Sequence, residues 1–503
     1  MDFRFHLSRI VGLENVLSSP VNFTNFGKNG TMMNNFYPWL TIYPAYLLSK
    51  MCNSLLIGYY VYCVFLTFLT FLSSYYMMIC IKKNQFTAVI FSIIYTFSGY
   101  RTMDVFFRGA LGETVALAFY PLIFLGMYYI LLGNYKKWYW LTIGMTLTVY
   151  THALSVALAV GYIAIVIMIA LPFIDKTMQR LVVLFMATVM TILLSLAYFI
   201  PFVEQKLFVN VRIPQPQLLF EKAVAPGELF ISSLNNDIQS YNLGIIILLL
   251  LILTFIKIDL LNNFEKVIVG LGVFSIIVAT KLFPWFLLQS TVLAVIQFPW
   301  RFLTGATIFI AFSGAVLLNQ IYKNRYTKSL FLAVFLLFIT VSHVSAVSTT
   351  AQYKNNLKYT QAETEDVARV YRHWDYAPKV ALDHNDFFQY SQVSIDGKIY
   401  NDIEQKRTSS SYQITFNNQV REGVEAIVPI YRYKGQIVTM NDKIVPVKEA
   451  TNGGTLLSLP AGKVDVKITY KYTFLARASQ IFSLLIMLFF GLYLYRKKQR
   501  TLR

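Results

Sequence analysis

The chain has 503 residues, 56% of them hydrophobic and 16% aromatic but only 14% charged, against about 25% charged in ordinary soluble proteins. So little charge cannot cover so much apolar side chain in water, which excludes a soluble globular protein. The net charge of +19 does not signal nucleic acid: 16 basic and 14 acidic residues nearly balance between Ser348 and Tyr472. The excess lies between long hydrophobic runs, as in the loops of a polytopic membrane protein.

From the N-terminus, Asp2-Phe-Arg-Phe-His-Leu-Ser-Arg-Ile reads as a helix. At 100° per residue, Asp2, His6 and Arg9 fall within about 60° of one another. Phe3, Leu7, Ile10 and Leu17 form an adjacent apolar stripe suited to a helix lying at a membrane surface. A carboxylate beside an imidazole and a guanidinium serves either as a general base near an anionic substrate or as a solvated face with an ion pair.

Apolar stretches follow at 54–81, 85–98, 112–132, 138–151, 154–173, 180–203, 242–257, 264–282, 300–321, 326–347 and 473–495. A helix needs ~20 residues to cross a bilayer, so the pattern predicts about eleven transmembrane helices, with 85–98 and 138–151 short enough to be tilted, paired or re-entrant. Lys82-Lys83, Lys136-Lys137, Lys176/Arg180, Lys257/Lys266, Lys323/Arg325/Lys328 and the tail Arg496-Lys497-Lys498-Gln499-Arg500 occupy every second connection. Positive charge favours the cytoplasm, which leaves 99–111, 204–241, 283–299 and 348–472 outside. Alternation puts 1–53 outside as well. The opening residues are not a signal peptide, so one helix preceding Met1 is expected, the alternative being an N-terminus that inserts outward.

Three further clusters place charge on the outer side against that bias. Ser98-Gly-Tyr-Arg-Thr-Met-Asp-Val-Phe-Phe-Arg-Gly-Ala-Leu-Gly-Glu sets Asp104 four residues before Arg108, with Glu113 opening the next helix. Arg101 and Arg108 could grip a phosphate with their planar guanidinium, and Asp104, Arg108 and Glu113 could equally form a local salt-bridge network. His152, in Tyr150-Thr-His-Ala-Leu-Ser, is either a packing residue or a positioned ligand. In Gln297-Phe-Pro-Trp-Arg-Phe, Trp300 reads as an interfacial aromatic and Arg301 as a rim charge, while the proline suits a re-entrant element lining a cavity.

Residues 348–472 change character. Tyr412-Gln-Ile-Thr-Phe, Ala426-Ile-Val-Pro-Ile-Tyr-Arg-Tyr, Gln436-Ile-Val-Thr-Met and Val464-Asp-Val-Lys-Ile-Thr-Tyr alternate with period two. Turn signals at Lys434-Gly435, Asn452-Gly-Gly and Pro460-Ala-Gly separate them, predicting an extracytoplasmic β-sandwich inserted before the last helix. The domains are then a first outer loop with an amphipathic helix (1–53), a multi-helix transmembrane domain (54–347), the β-rich domain (348–472), and the last helix with a basic cytoplasmic tail (473–503). Cys52, Cys63 and Cys80 lie in or beside the first span and indicate no disulfide framework. A Walker loop, paired Cys-x-x-Cys, His-Glu-x-x-His and a nucleophile elbow are all missing, against ATP-driven transport or zinc proteolysis.

The Asp-x-x-Phe-His-x-x-Arg-Ile start, Phe36-Tyr-Pro with Tyr43-Pro, and Arg108-Gly-Ala-Leu-Gly-Glu, continued by Thr151-His-Ala-Leu-Ser, Gln297-Phe-Pro-Trp-Arg-Phe and Asp375-Tyr-Ala-Pro-Lys, resemble one bacterial family along nearly the whole chain. It is the 6-pyruvoyl-tetrahydropterin-synthase-related membrane proteins, near the YfhO-like group. Nothing here suggests pterin chemistry; the family is similar to a branch of the GT-C glycosyltransferases. The resemblance implies a multi-helix membrane enzyme that moves a sugar from a polyprenyl-phosphate donor to a cell-envelope polymer or glycolipid on the outer face. Asp2 matches the acidic catalytic residue of the superfamily's first outer loop and, with or without a divalent ion such as Mg2+ or Mn2+, would deprotonate the acceptor. Arg108, Arg101 and Arg301 would stabilise the lipid-phosphate leaving group, and His6 or His152 would position the acceptor. The other reading is a non-catalytic membrane protein, a lipid-linked-sugar carrier or an envelope-assembly partner, using the same cavity.

Overall fold

The computed structural model describes residues 2–353, 360–418 and 423–502. It is mostly helical with a C-terminal β-sheet region. Seven helical segments among the described residues are long and apolar enough to cross a membrane: Leu55–Lys82, Leu111–Leu131, Ala153–Phe173, Thr177–Leu194, Pro299–Ile321, Arg325–Thr349 and Phe474–Gln499. The other four predicted stretches form the shorter helices Gln85–Thr96, Tyr139–Val149, Ile245–Ile256 and Asn263–Ala279. The 12 residues of Gln85–Thr96 reach only about 18 Å at 1.5 Å per residue, less than the ~30 Å hydrocarbon core. Apolar composition locates these runs; capping decides where they start. Asn84 accepts from Thr87 N at 2.9 Å, and Asn262 and Glu265 form a reciprocal capping box.

The chain divides into two compact units. The first comprises Met1–Phe3, Tyr62–Thr191 and Gln215–Lys358. At its centre is the helix Leu303–Ile321, buried at every position from Leu303 to Leu318. Its small residues let neighbours approach closely: Gly314 abuts Leu250, and Gly272 of Asn263–Ala279 abuts Ile310. The helices Tyr120–Leu131 and Tyr139–Val149 interlock through Gly126 against Leu141 and Gly144 against Ile123.

The second unit comprises Arg4–Val61, Ile192–Pro214 and Tyr359–Arg503. Its strands among the described residues are β1 (Val393–Ile395), β2 (Lys398–Tyr400), β3 (Gln405–Arg407), β4 (Ser411–Asn418), β5 (Val424–Val428), β6 (Gln436–Met440), β7 (Lys443–Val445), β8 (Lys448–Glu449), β9 (Thr455–Leu459) and β10 (Gly462–Tyr470). They form two antiparallel sheets, ordered β2-β1-β5-β9-β8 and β3-β4-β10-β6-β7. Register pairs Tyr412 with Ile468, Ile414 with Val466 and Phe416 with Val464. These six side chains share one buried cluster with Val393, Val424, Ala426 and Leu457 of the other sheet. The run Ala426–Tyr433 ends as a strand at Val428, before Pro429, which has no N–H to give a ladder.

The helix predicted at the N-terminus forms over Asp2–Val11. It is not a surface helix with one apolar face, because His6, Leu7, Ser8, Arg9 and Ile10 are buried in succession. Five consecutive residues cover every azimuth of a helix, so this turn is packed all round.

Candidate functional site

In the first unit, the described residues bring Asp2, Asp104, Arg108, Glu113, Trp300 and Arg301 into one cluster. The loop Gly99–Gly109 builds it. Met103–Arg108 forms a turn of π-helix, closed by Ala110 N donating to Asp104 O at 2.9 Å. Gly109 ends it at φ +63°, where a side chain is strained, and a Cβ there would stand 2.8 Å from Cβ of Phe3. That bare backbone admits Phe3 and sets its neighbour Asp2 beside Arg108.

Arg108 is the hub. Its Nη1 donates to Asp104 Oδ1 at 2.5 Å and to Glu113 Oε2 at 3.0 Å, and its Nη2 to Asp2 Oδ2 at 3.4 Å. Its guanidinium carbon lies 4.2 Å from the Trp300 ring centroid, and Trp300 stacks on Tyr241 at 4.2 Å. Burial disfavours the Arg108 charge, but Asp104 and Glu113 outweigh it and hold the guanidinium firmly protonated. Burial, reinforced by the Glu113 charge, pushes the Asp104 carboxyl well above the usual range despite Arg108.

Arg301 lies on the other side of Glu113, its Nε 3.8 Å from Oε2, while Nη1 donates to Ile296 O at 2.7 Å. Its Nη2 makes no hydrogen bond among the described residues. Glu113 also accepts from the Tyr100 hydroxyl. The carboxylates differ in access: the side chain of Asp2 is 49% exposed and those of Asp104 and Glu113 are buried.

Two other candidates, His152 and Arg101, sit close enough to act electrostatically on Glu113 and Asp104 respectively, while hydrogen bonding to other groups. Arg101 is buried and donates to Thr96 O at 3.0 Å and Thr67 Oγ1 at 3.1 Å, with burial lowering its pKa to about 10. It braces its own loop rather than joining Arg108. His152 Nδ1 lies 2.8 Å from Ser155 Oγ. His6 and Arg9 belong to the second unit. There Arg9 is fully buried, donates to Pro38 O at 2.5 Å and stacks 3.8 Å over Tyr37. Trp300 is 2% exposed, so it is a packed platform and not an interfacial anchor.

Sequence reasoning missed Tyr100 and Tyr241. Tyr100 stands in a motif already singled out, but Tyr241 has no local signal, because only the fold brings it to Trp300. A divalent ion is not favoured by this donor set. The described residues hold no group of three His, Cys, Asp or Glu placed for a metal, and Arg108 already supplies the cation between the carboxylates.

The same unit contains a cavity of about 500 Å3 walled by Tyr120, Phe124, Ala159, Tyr162, Leu271 and Phe309 among other mainly apolar residues. Comparison with family models, curated proteins and solved structures finds no match for the chain.

Proposed function

We propose that the protein is a GT-C-type membrane glycosyltransferase, moving a sugar from a polyprenyl-phosphate donor to a cell-envelope acceptor. One observation carries the reading: the charged cluster and the apolar cavity are built on the same helices. The segment Leu111–Leu131 carries Glu113 and then the cavity wall from Tyr120; Pro299–Ile321 carries Arg301 and then the wall from Thr304. Glu113 and Tyr120 are seven residues apart in the chain, across the helix break at Ala118–Phe119, so the charged cluster and the apolar wall follow one another along one segment. A molecule with an anionic head and a long apolar tail suits both ends.

In this account the half-exposed Asp2 takes the proton of an acceptor hydroxyl as its oxygen bonds to the anomeric carbon. The bond from that carbon to the phosphate oxygen breaks, and the electron pair leaves with the lipid phosphate. Arg301, through Nη2, meets the growing charge, and Arg108 supports it from behind Glu113. The basic connections would put the cluster on the extracytoplasmic face, with about eleven membrane helices in all and the two sheets forming an outer β-sandwich.

The test is stoichiometric. Purified protein given a polyprenyl-phosphate sugar and envelope acceptors should release free polyprenyl phosphate in step with glycosylated product. A carrier would move the donor across a vesicle bilayer and leave its sugar–phosphate bond intact.

A further inference from the structure

The motif Asp375-Tyr-Ala-Pro-Lys plays no part in the cluster above. In the second unit it pairs with the chain around Arg212: Arg212 N donates to Ala377 O at 2.9 Å, Tyr376 N to Arg212 O at 2.7 Å, and Lys379 N to Asn210 O at 2.8 Å. This short antiparallel bridge holds Arg212 Nε 3.5 Å from Asp375 Oδ1. His373 Nε2 lies 3.0 Å from Oδ2 of the same carboxylate. All three heads reach solvent, with side chains 32%, 18% and 32% exposed for Arg212, Asp375 and His373.

Beside this trio stands an aromatic platform. The Phe5 ring centroid is 4.9 Å from His373, 5.8 Å from Tyr37 and 6.5 Å from Tyr371, and the Tyr371 and His373 planes are within 17° of parallel. Phe5, Tyr37 and Tyr371 are half-buried. Rings that serve only as core would be sealed from water, and a carboxylate there would be costly.

Half-exposed rings beside a fixed acceptor and two donors match the surface of a pyranose, whose C–H face is apolar and whose rim is a circle of hydroxyls. The carboxylate accepts from hydroxyls, and guanidinium and imidazole donate to ring and hydroxyl oxygens. Arg212 and Asp375 cancel in charge, and the Arg9 guanidinium under Tyr37 is fully buried and so out of a ligand's reach, so the patch favours an uncharged polyol over a phosphate or a nucleic acid.

We propose that Phe5, Tyr37 and Tyr371, with His373, Asp375 and Arg212, form a binding site for a neutral, pyranose-containing glycan. It stands independently of the transferase reading, since binding here needs no turnover. The experiment is saturation-transfer NMR on the full-length protein in detergent, with cellohexaose and chitohexaose as probes. Saturation should pass to at least one of them with Kd on the order of 1 mM. Tyr371→Ala and Asp375→Asn should each weaken that binding at least about tenfold, and Tyr371→Phe, which keeps the ring face, should not. Thermal melting of each variant reports folding; should Tyr371→Ala not fold, Asp375→Asn against Tyr371→Phe decides. Binding of neither glycan, or binding indifferent to both substitutions, overturns the proposal.

Discussion

Arg108 and Asp104 stand 2.5 Å apart inside the protein, four residues apart on one π-helical turn. The same Nη1 serves Glu113, so a single guanidinium reaches one oxygen of each of two buried carboxyls. Removing it takes the arginine from both, leaving Glu113 with Tyr100 and Arg301. Arg108→Ala should cost about 3–5 kcal/mol, the usual penalty for breaking a buried pair from one side. Thermal unfolding in detergent measures this. Arg108→Lys keeps the charge without the fork and should lie between Ala and the native chain.

Asp104 gives the cluster a pH signature. Its carboxyl is raised by burial and by Glu113, so the folded chain holds that proton more tightly than the unfolded one. The associated stability is complete below the ordinary aspartate value of about 4 and is lost as pH rises through the raised value. Asp104→Asn mimics the neutral form. Unfolding curves from about pH 4 to 9 should show the native chain losing stability relative to Asp104→Asn as pH increases; parallel curves would mean that Asp104 is ionised throughout.

Helix contacts make a paired prediction. A Cβ on Gly126 would meet Leu141 N at 2.2 Å, backbone that cannot move aside, whereas nothing lies within 4 Å of one on Gly161. Gly126→Ala should therefore destabilise by about 1–3 kcal/mol or more. Gly161→Ala, mid-helix in Ala153–Ala170, should be neutral or stabilise by up to about 1 kcal/mol. Melting temperatures of the two variants separate these outcomes.

Much of this was legible in the residues, but unevenly. Period-two alternation located β4, β6 and β10 because each has one face in a core and one in water. Hydrophobic runs located every long helix but not their breaks: 112–132 is interrupted at Ala118–Phe119 and 180–203 at Ser195, both inside apolar composition. The spacing of Asp104, Arg108 and Glu113 announced a local ion network, since those partners are near in sequence. The aim of Arg101 toward Thr67, and of Arg9 toward the carbonyls of Tyr37 and Pro38, was not readable. A long basic side chain can reach several surfaces, and only packing selects one. Tyr241 under Trp300 was invisible for the same reason.

The apolar cavity is testable apart from the chemistry. Ala159 is buried on its wall, and a large side chain there would occupy the space assigned to a lipid tail. Ala159→Trp should raise KM for a long-chain polyprenyl-phosphate sugar about tenfold with kcat little changed, the pattern of lost uniform binding. A water-soluble short-chain donor should be unaffected. Equal effects on both donors would place the tail elsewhere.

Asp2 carries the central claim, because it is the exposed carboxylate of the cluster and touches it through one 3.4 Å contact with Arg108. Asp2→Asn preserves size and that contact's geometry but cannot take a proton. The decisive measurement is release of polyprenyl phosphate from a polyprenyl-phosphate sugar by purified Asp2→Asn protein beside the native chain, with melting curves for both. The account predicts turnover by the native chain, loss of at least about a hundredfold in the variant, and matching melting curves; undiminished turnover in Asp2→Asn would contradict it.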